Sequence, residues 1–303
     1  MVQIKMDIIQ LKRKNGVEQY APRTTEMAMY PDIDNNYTII AYKGRRIVLR
    51  DEQVCGFCRL PNLPNSNMQG MAIYNNIMVR MSTGTTHYIY NISGNGSVSQ
   101  IATFSANTNH SNSLQFAPTL ESGQSYPYLY VSELPDACTV LEISSTYAVT
   151  TVQRITIQSG VVEGGNLQIG SDGYIWYSGC VGANNASRWR FIKFRKVYVS
   201  EGASIVLTDN DIIDDWITTE IRPYNVYAFQ GFIIKFGMIF QLYGYGAGTN
   251  YKRGFAVYNT ATHAMITEID LTDKFTDEPE DLDVWDDSIV LCTNATSFFQ
   301  LKF

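Results

Sequence analysis

Gln69-Gly-Met-Ala-Ile-Tyr-Asn75-Asn76-Ile-Met-Val-Arg-Met81 reads as an apolar strand, a two-residue turn and a second strand. The middle of so tight a turn needs φ > 0, which Asn, Asp and Gly tolerate, so the stretch predicts a β-hairpin. The pattern then returns along the chain. Gln230-Gly-Phe-Ile-Ile-Lys-Phe-Gly237-Met-Ile-Phe-Gln-Leu242 has the same Gln-Gly start and the same layout. Asn166-Leu-Gln-Ile-Gly-Ser-Asp172-Gly173-Tyr-Ile-Trp-Tyr177 repeats it with Asp-Gly at the turn, and Glu280-Asp-Leu-Asp-Val-Trp-Asp286-Asp287-Ser-Ile-Val-Leu291 repeats it again. A fifth copy begins near Asn112 and carries an insertion before Tyr128-Leu-Tyr-Val131.

A third strand follows each hairpin: residues 87–92, 139–143, 188–194, 254–259 and 298–303. Four copies add a fourth strand, at residues 98–104, 151–157, 204–208 and 265–271, and the last copy stops after three. Four-stranded units about 40 to 60 residues apart are the mark of a β-propeller. The sequence therefore predicts an all-β, five-bladed β-propeller over residues 36–303, with blades starting near 69, 112, 166, 230 and 280. A ring of this kind commonly completes its last blade with an N-terminal strand, which removes a free edge. A strand within residues 37–60 is expected to do so by pairing near Phe298–Phe303. Residues 1–35 are too short for a core of their own and read as an extended arm or a small docking hairpin around Asn15-Gly16.

Composition agrees with strands. Of the 303 residues only 17% are charged, against about 25% in an average domain. Hydrophobic residues make up 45%, with 20 Tyr and 14 Phe. Strands can face water with Thr, Ser, Asn and Tyr, so this composition fits a polar, uncharged β surface and excludes disordered, collagen-like and coiled-coil chains. The net charge of −6 offers no field for a nucleic-acid backbone. The basic run Arg188, Arg190, Lys193, Arg195 and Lys196 alternates with Trp189, Phe191, Ile192 and Phe194, as the solvated face of one strand would. The opening Met1–Asp7 lacks a basic segment followed by an apolar run, and the apolar stretch 231–240 is broken by Lys235. A soluble chain made in the cytoplasm, without membrane insertion, is expected; a chain trimmed of a leader would read the same.

No catalytic motif is present. There is no nucleophile elbow, phosphate loop, dinucleotide fingerprint or zinc-protease motif. His87, His110 and His263 lie in different copies and read as surface or turn residues. Cys55-Gly-Phe-Cys58 has redox spacing, but Arg-Leu-Pro-Asn-Leu-Pro follows where a helix would be needed. With Cys138, Cys180 and Cys292 the five cysteines read as free thiols, and no metal or cofactor is expected. The acidic groups Asp209, Asp211, Asp214, Asp215 and Asp277, Glu278, Glu280, Asp281, Asp283 read as solvated connectors without a calcium-loop spacing. At the starts of the inner strands stand Gln69, Asn112, Asn166, Gln230 and Glu280. Four of these five are amides, which cannot act as acid or base, so a channel plugged by hydrogen-bonding side chains is expected rather than a glycosidase pair. Two aromatic loops remain, around Arg188 and Trp189 in the third copy and Tyr243, Tyr245 and Tyr251 in the fourth. These five residues are the candidate ligand-binding set, since aromatic faces stack on sugar rings; ordinary inter-strand loops are the other reading.

The Gln69 and Gln230 hairpins, each followed by a strand of the Tyr-Ile-Tyr-Asn-Ile or Phe-Ala-Val-Tyr-Asn kind, resemble the five-bladed propellers of phage receptor-binding tail proteins. That family is often described as similar to a teichoic acid biosynthesis protein, and the resemblance covers residues 60–303. Ile8-Ile-Gln-Leu-Lys-Arg…Gln19-Tyr-Ala-Pro-Arg-Thr-Thr24 resembles the segment that opens many phage tail and fibre proteins. The resemblance implies a non-enzymatic virion component, located in the tail and synthesised in the host cytoplasm. It would dock on other tail proteins through residues 1–35, recognise a host-surface polysaccharide, or both. It leaves room for a homo-oligomer in the particle, although the chain lacks a coiled-coil stem. The alternatives are a carbohydrate-active enzyme on the same fold and a bacterial cell-surface glycan-binding protein.

Overall fold

The computed structural model describes residues 7–12, 18–23, 28–31, 38–42, 45–49 and 55–59, in all of which the backbone alone is described. It also describes residues 67–301, apart from 94–97, 163, 184, 247–249, 286–287 and 296. The expected turns at Asn15-Gly16 and Asp286-Asp287 lie outside these residues. The chain divides into two compact units, Met1–Gln53 and Val54–Lys302. In the first, β1 (Asp7–Lys12) pairs antiparallel with β2 (Glu18–Arg23). Strands β3 (Ala28–Pro31), β4 (Thr38–Tyr42) and β5 (Arg45–Leu49) form a three-stranded antiparallel sheet.

The second unit is the propeller. It opens with β6 (Cys55–Arg59) and continues into blade 1: β7 (Met68–Tyr74), β8 (Ile77–Ser82), β9 (Thr86–Ile92) and β10 (Val98–Ser105). Blade 2 holds β11 (Ser113–Phe116), β12 (Leu129–Glu133), β13 (Ala137–Ile143) and β14 (Val149–Ile157). Blade 3 begins with β15 (Gly165–Ile169), β16 (Tyr174–Val181) and β17 (Arg188–Lys196). The chain then lays β18 (Ser204–Leu207) parallel on β14 of blade 2 and returns to complete blade 3 with β19 (Ile212–Ile217). Blade 4 is β20 (Phe229–Lys235), β21 (Met238–Tyr243), β22 (Gly254–Asn259) and β23 (Met265–Asp270). Blade 5 is β24 (Pro279–Trp285), β25 (Ser288–Thr293) and β26 (Ser297–Leu301).

The expected closure is present: β6 is the outer strand of blade 5, with Phe298 opposite Cys58 and Phe299 opposite Phe57. One assignment is corrected. Residues 204–208 do not complete blade 3; β18 is a fifth strand of blade 2, and the fourth strand of blade 3 is β19. Asp214 and Asp215 therefore sit in a strand, opposite Lys193 and Ile192.

The described hairpin turns take positive φ, 53° at Asn75, 79° at Gly173 and 73° at Gly237, and also 58° at Phe236, outside the Asn, Asp and Gly set. The Gln-Gly starts have a packing cause. A Cβ on Gly70 would strike Leu114 and lie 2.5 Å from the Ser111 carbonyl, and one on Gly231 would strike Asp281 and lie 2.7 Å from the Glu280 carbonyl. Glycine is what lets neighbouring inner strands approach this closely. Outside the axis, blades pack face to face through apolar layers. Leu114, Phe116 and Leu141 of blade 2 meet Ala72, Val79 and Ile89 of blade 1. Trp176, Trp189 and Phe191 of blade 3 meet Phe232, Tyr243 and Tyr258 of blade 4. Each such fully buried large side chain contributes about 1.5 to 3 kcal/mol. Among the described residues no helix is long and apolar enough to cross a membrane.

Candidate functional site

Every inner strand begins at the same end of the ring. The loops between second and third strands return to that end, and so do the crossings from one blade to the next. Gln69, Asn112, Asn166, Gln230 and Glu280 thus share one face with the described residues of the loops 182–183 and 185–187, 244–246 and 250–253, and with the crossing 218–228. All five inner-strand residues are buried. Asn166 donates through Nδ2 to the Gln230 carbonyl at 3.1 Å and accepts from Ser132 Oγ at 3.2 Å. Gln230 donates to the Gly244 carbonyl at 2.9 Å and to Glu278 Oε1 at 2.8 Å. Gln69 hydrogen-bonds the Glu280 carboxyl. Among the described residues, Gln69 Oε1 and Asn112 Oδ1 have no protein partner.

The axis below this ring is tied by two acids that sequence reading placed in a solvated connector. That reading is corrected: Glu280, Asp281 and Asp283 are all at most 2% exposed. Asp281 accepts the backbone N–H of Met71 at 2.9 Å, Leu114 at 2.7 Å and Leu282 at 2.9 Å, joining blades 1, 2 and 5. Asp283 accepts from Ile73 at 2.7 Å and from the Lys235 ammonium of blade 4. Ser113 reaches across to blade 4, donating to the Phe232 carbonyl at 2.9 Å. Arg80, fully buried, donates to the carbonyls of Gln69 and Thr293. Burial pushes the Asp281 carboxyl well above the usual range against the pull of its three N–H donors. Burial, aided by neighbouring Glu278, does the same to Glu280. In sequence these acids stand two apart, the spacing that puts alternate residues of a strand on one side. That signal could have placed Asp281 and Asp283 on the axis.

At the rim, Glu278 is half-buried, and burial raises its carboxyl above the ordinary value while Gln230 and Arg253 pull it down. Its Oε2 accepts from Asn294 at 3.4 Å. Tyr245 is exposed, Tyr251 half-buried, and their ring centroids are 5.0 Å apart. Tyr224, also exposed, lies within electrostatic reach of both phenols and of Glu278. Arg188 is exposed at the start of β17. The other two members of the candidate set lie in the core: Trp189 and Tyr243 are 0% exposed, with centroids 5.9 Å apart. The Arg222 guanidinium lies 5.0 Å from the Trp189 ring and is paired with Glu268 at 2.5 and 2.9 Å. Tyr243 donates its hydroxyl to the same Glu268 at 2.9 Å. Neither ring can face a ligand at the surface.

The histidines also divide. His87 is buried rather than at the surface, its Nδ1 facing the Ser82 N–H at 3.3 Å and its Nε2 the Ala106 carbonyl at 3.1 Å. Burial holds it below its ordinary pKa. His263 lies in the β22–β23 turn, paired with Asp214 at 2.7 Å and stacked on Trp216. Three of the strip's five basic residues are paired with acids: Arg190 with Asp215, Lys193 with Asp172, and Arg195 with both Glu201 and Asp211. Among the described residues no group of three or more His, Cys, Asp or Glu is placed to hold a metal ion.

No known protein-family profile matches the chain, and no curated protein matches it in sequence. Solved structures do. The glutaminyl cyclase of Myxococcus xanthus is similar with a TM-score of 0.52 and 10% identity, over 82% of this chain and 95% of that one. A glucose dehydrogenase is similar at 0.46 and 9%, over 82% and 100%. The β-propeller domain of Vanderwaltozyma polyspora Nup133 is similar at 0.42 and 11%, over 98% and 89%. Enzymes are thus among the structural neighbours, and at such identity the likeness to the cyclase shows the fold alone.

Proposed function

We propose that this propeller is a non-enzymatic binding protein, a phage tail or fibre component that recognises a host-surface polysaccharide at the face where its inner strands begin. The observation that carries the reading is the rim of Tyr224, Tyr245 and Tyr251 beside Glu278. Exposed phenol faces stack on pyranose rings while a carboxylate and amides take hydroxyls. The sequence resemblance supplies the phage assignment. It also gives residues 1–35 the role of docking onto other tail proteins; among the described residues β1 and β2 pair only with each other, and an added strand is one way such a hairpin docks. The hydrogen bonds that already engage Asn166, Gln230 and Asp281, each with partners of its own, support binding over catalysis.

The test is retention of the chain on purified bacterial cell walls. Replacing Tyr245 and Tyr251 together with Ala is expected to lower retention about tenfold or more with unchanged melting. Equal retention would refute the rim. One observation favours a second reading, a carbohydrate-active enzyme: the raised Glu278 carboxyl suits a general acid and has Glu280 beside it.

A further inference from the structure

The edge of β18 differs from every other outer edge of the ring. The outermost ladders β9–β10, β17–β19, β22–β23 and β26–β6 each contain a register shift. Such bulges twist an edge away from further pairing. The β14–β18 ladder runs in straight parallel register from Arg154–Ser204 to Ile157–Leu207. Its strand, Ser204-Ile-Val-Leu207, contains no charge and no proline. Arg154 N–H donates to the Ala203 carbonyl and Gln158 N–H to the Leu207 carbonyl, both at 2.8 Å. In a parallel ladder these bonds use alternate residues. The backbone groups of Ala203, Ile205 and Leu207 therefore face β14, and those of Ser204 and Val206 face outward.

The edge is also held ready. Glu201 closes the turn before it, accepting the Tyr198 N–H at 2.7 Å, and Asp211 closes the turn after it, accepting the Thr208 N–H at 2.8 Å. Arg195 joins the two, at 2.7 Å to Glu201 and 2.8 Å to Asp211. Gln153 fixes the approach through the carbonyls of Tyr198 and Gly202. A strand clamped at both ends loses little entropy on pairing. Val206 is 55% exposed.

We propose that β18 is a β-augmentation edge, which takes one extended segment of a partner protein as an added strand. The shoulders decide the chemistry of that segment. Glu201 stands just before the strand and Asp209 and Asp211 just after it, against Arg195, which pairs with Glu201 and Asp211; Arg154 on the neighbouring β14 is already paired with Glu133. The acidic surplus fits a short uncharged β segment flanked by lysine or arginine. A second copy of this edge fits poorly, because antiparallel pairing centred on Ile205 sets Glu201 opposite Asp209.

The experiment is fluorescence anisotropy of the full chain with labelled peptides Lys-Ile-Thr-Val-Thr-Lys and Glu-Ile-Thr-Val-Thr-Glu. The basic peptide should bind at least about tenfold more tightly and slow hydrogen exchange at the Val206 amide. Val206→Pro removes an outward N–H and is compatible with an edge strand; it should abolish binding while leaving the melting temperature unchanged. Asp209→Lys should weaken binding and leave the fold intact. Equal binding of both peptides, undiminished binding by Val206→Pro, no binding at all, or a dimer dissolved by Val206→Pro would each overturn the proposal.

Discussion

Asp281 is an acid that faces no water, and its two oxygens take N–H donors from three strands of the ring. Its acceptors, not its charge alone, are what the axis uses. Asp281→Asn keeps the size but turns one acceptor into a donor, which would then face the N–H of Met71 and Leu114 or of Leu282. The expected loss is about 3 kcal/mol or more, from lost bonds and stranded donors, measurable by urea unfolding; a change under about 1 kcal/mol would refute this role. Little of this residue-level detail was legible in the sequence. A run of Asp and Glu reads as solvated until the inner strand's alternation is weighed against it. Trp189 and Tyr243 read as loop aromatics because both end strands, and only packing against Arg222 and Glu268 shows which way the rings turn.

Strands and hairpins were far more legible, because turn chemistry and alternation are local signals. The two-residue turns at Asn75-Asn76 and Phe236-Gly237 and the N-terminal closing strand follow from such signals, whereas the Asp172-Gly173 hairpin closes through a longer loop, from Ile169 to Tyr174. The exchange between blades 2 and 3 does not. Ser204-Ile-Val-Leu207 and Ile212-Ile-Asp-Asp-Trp-Ile217 are both adequate strands, and the order of partners is set by tertiary pairing rather than propensity. For the closing strand the prediction concerns an edge. Deleting residues 55–59 would leave β26 unpaired, so melting should fall by at least about 5 °C, with concentration-dependent association visible by ultracentrifugation. An unchanged melting point and a monodisperse monomer would contradict the closure.

The whole molecule explains the sparse charge from which the all-β reading drew support. Strands covered by neighbouring blades leave few edges to guard, and among the described residues several of the charges are spent on pairs such as Arg222–Glu268, Arg190–Asp215 and Lys235–Asp283. What remains at the face where the inner strands begin is an aromatic rim over a hydrogen-bonded plug, the proposed seat of a sugar chain held without being cut. The most direct test incubates the intact chain with purified bacterial wall polysaccharide and reads two quantities together. One is co-elution on size exclusion, and the other is release of reducing ends. Co-elution that depends on Tyr245 and Tyr251, with no new reducing ends, is the predicted result; reducing ends that accumulate with time and vanish in Glu278→Gln would contradict it.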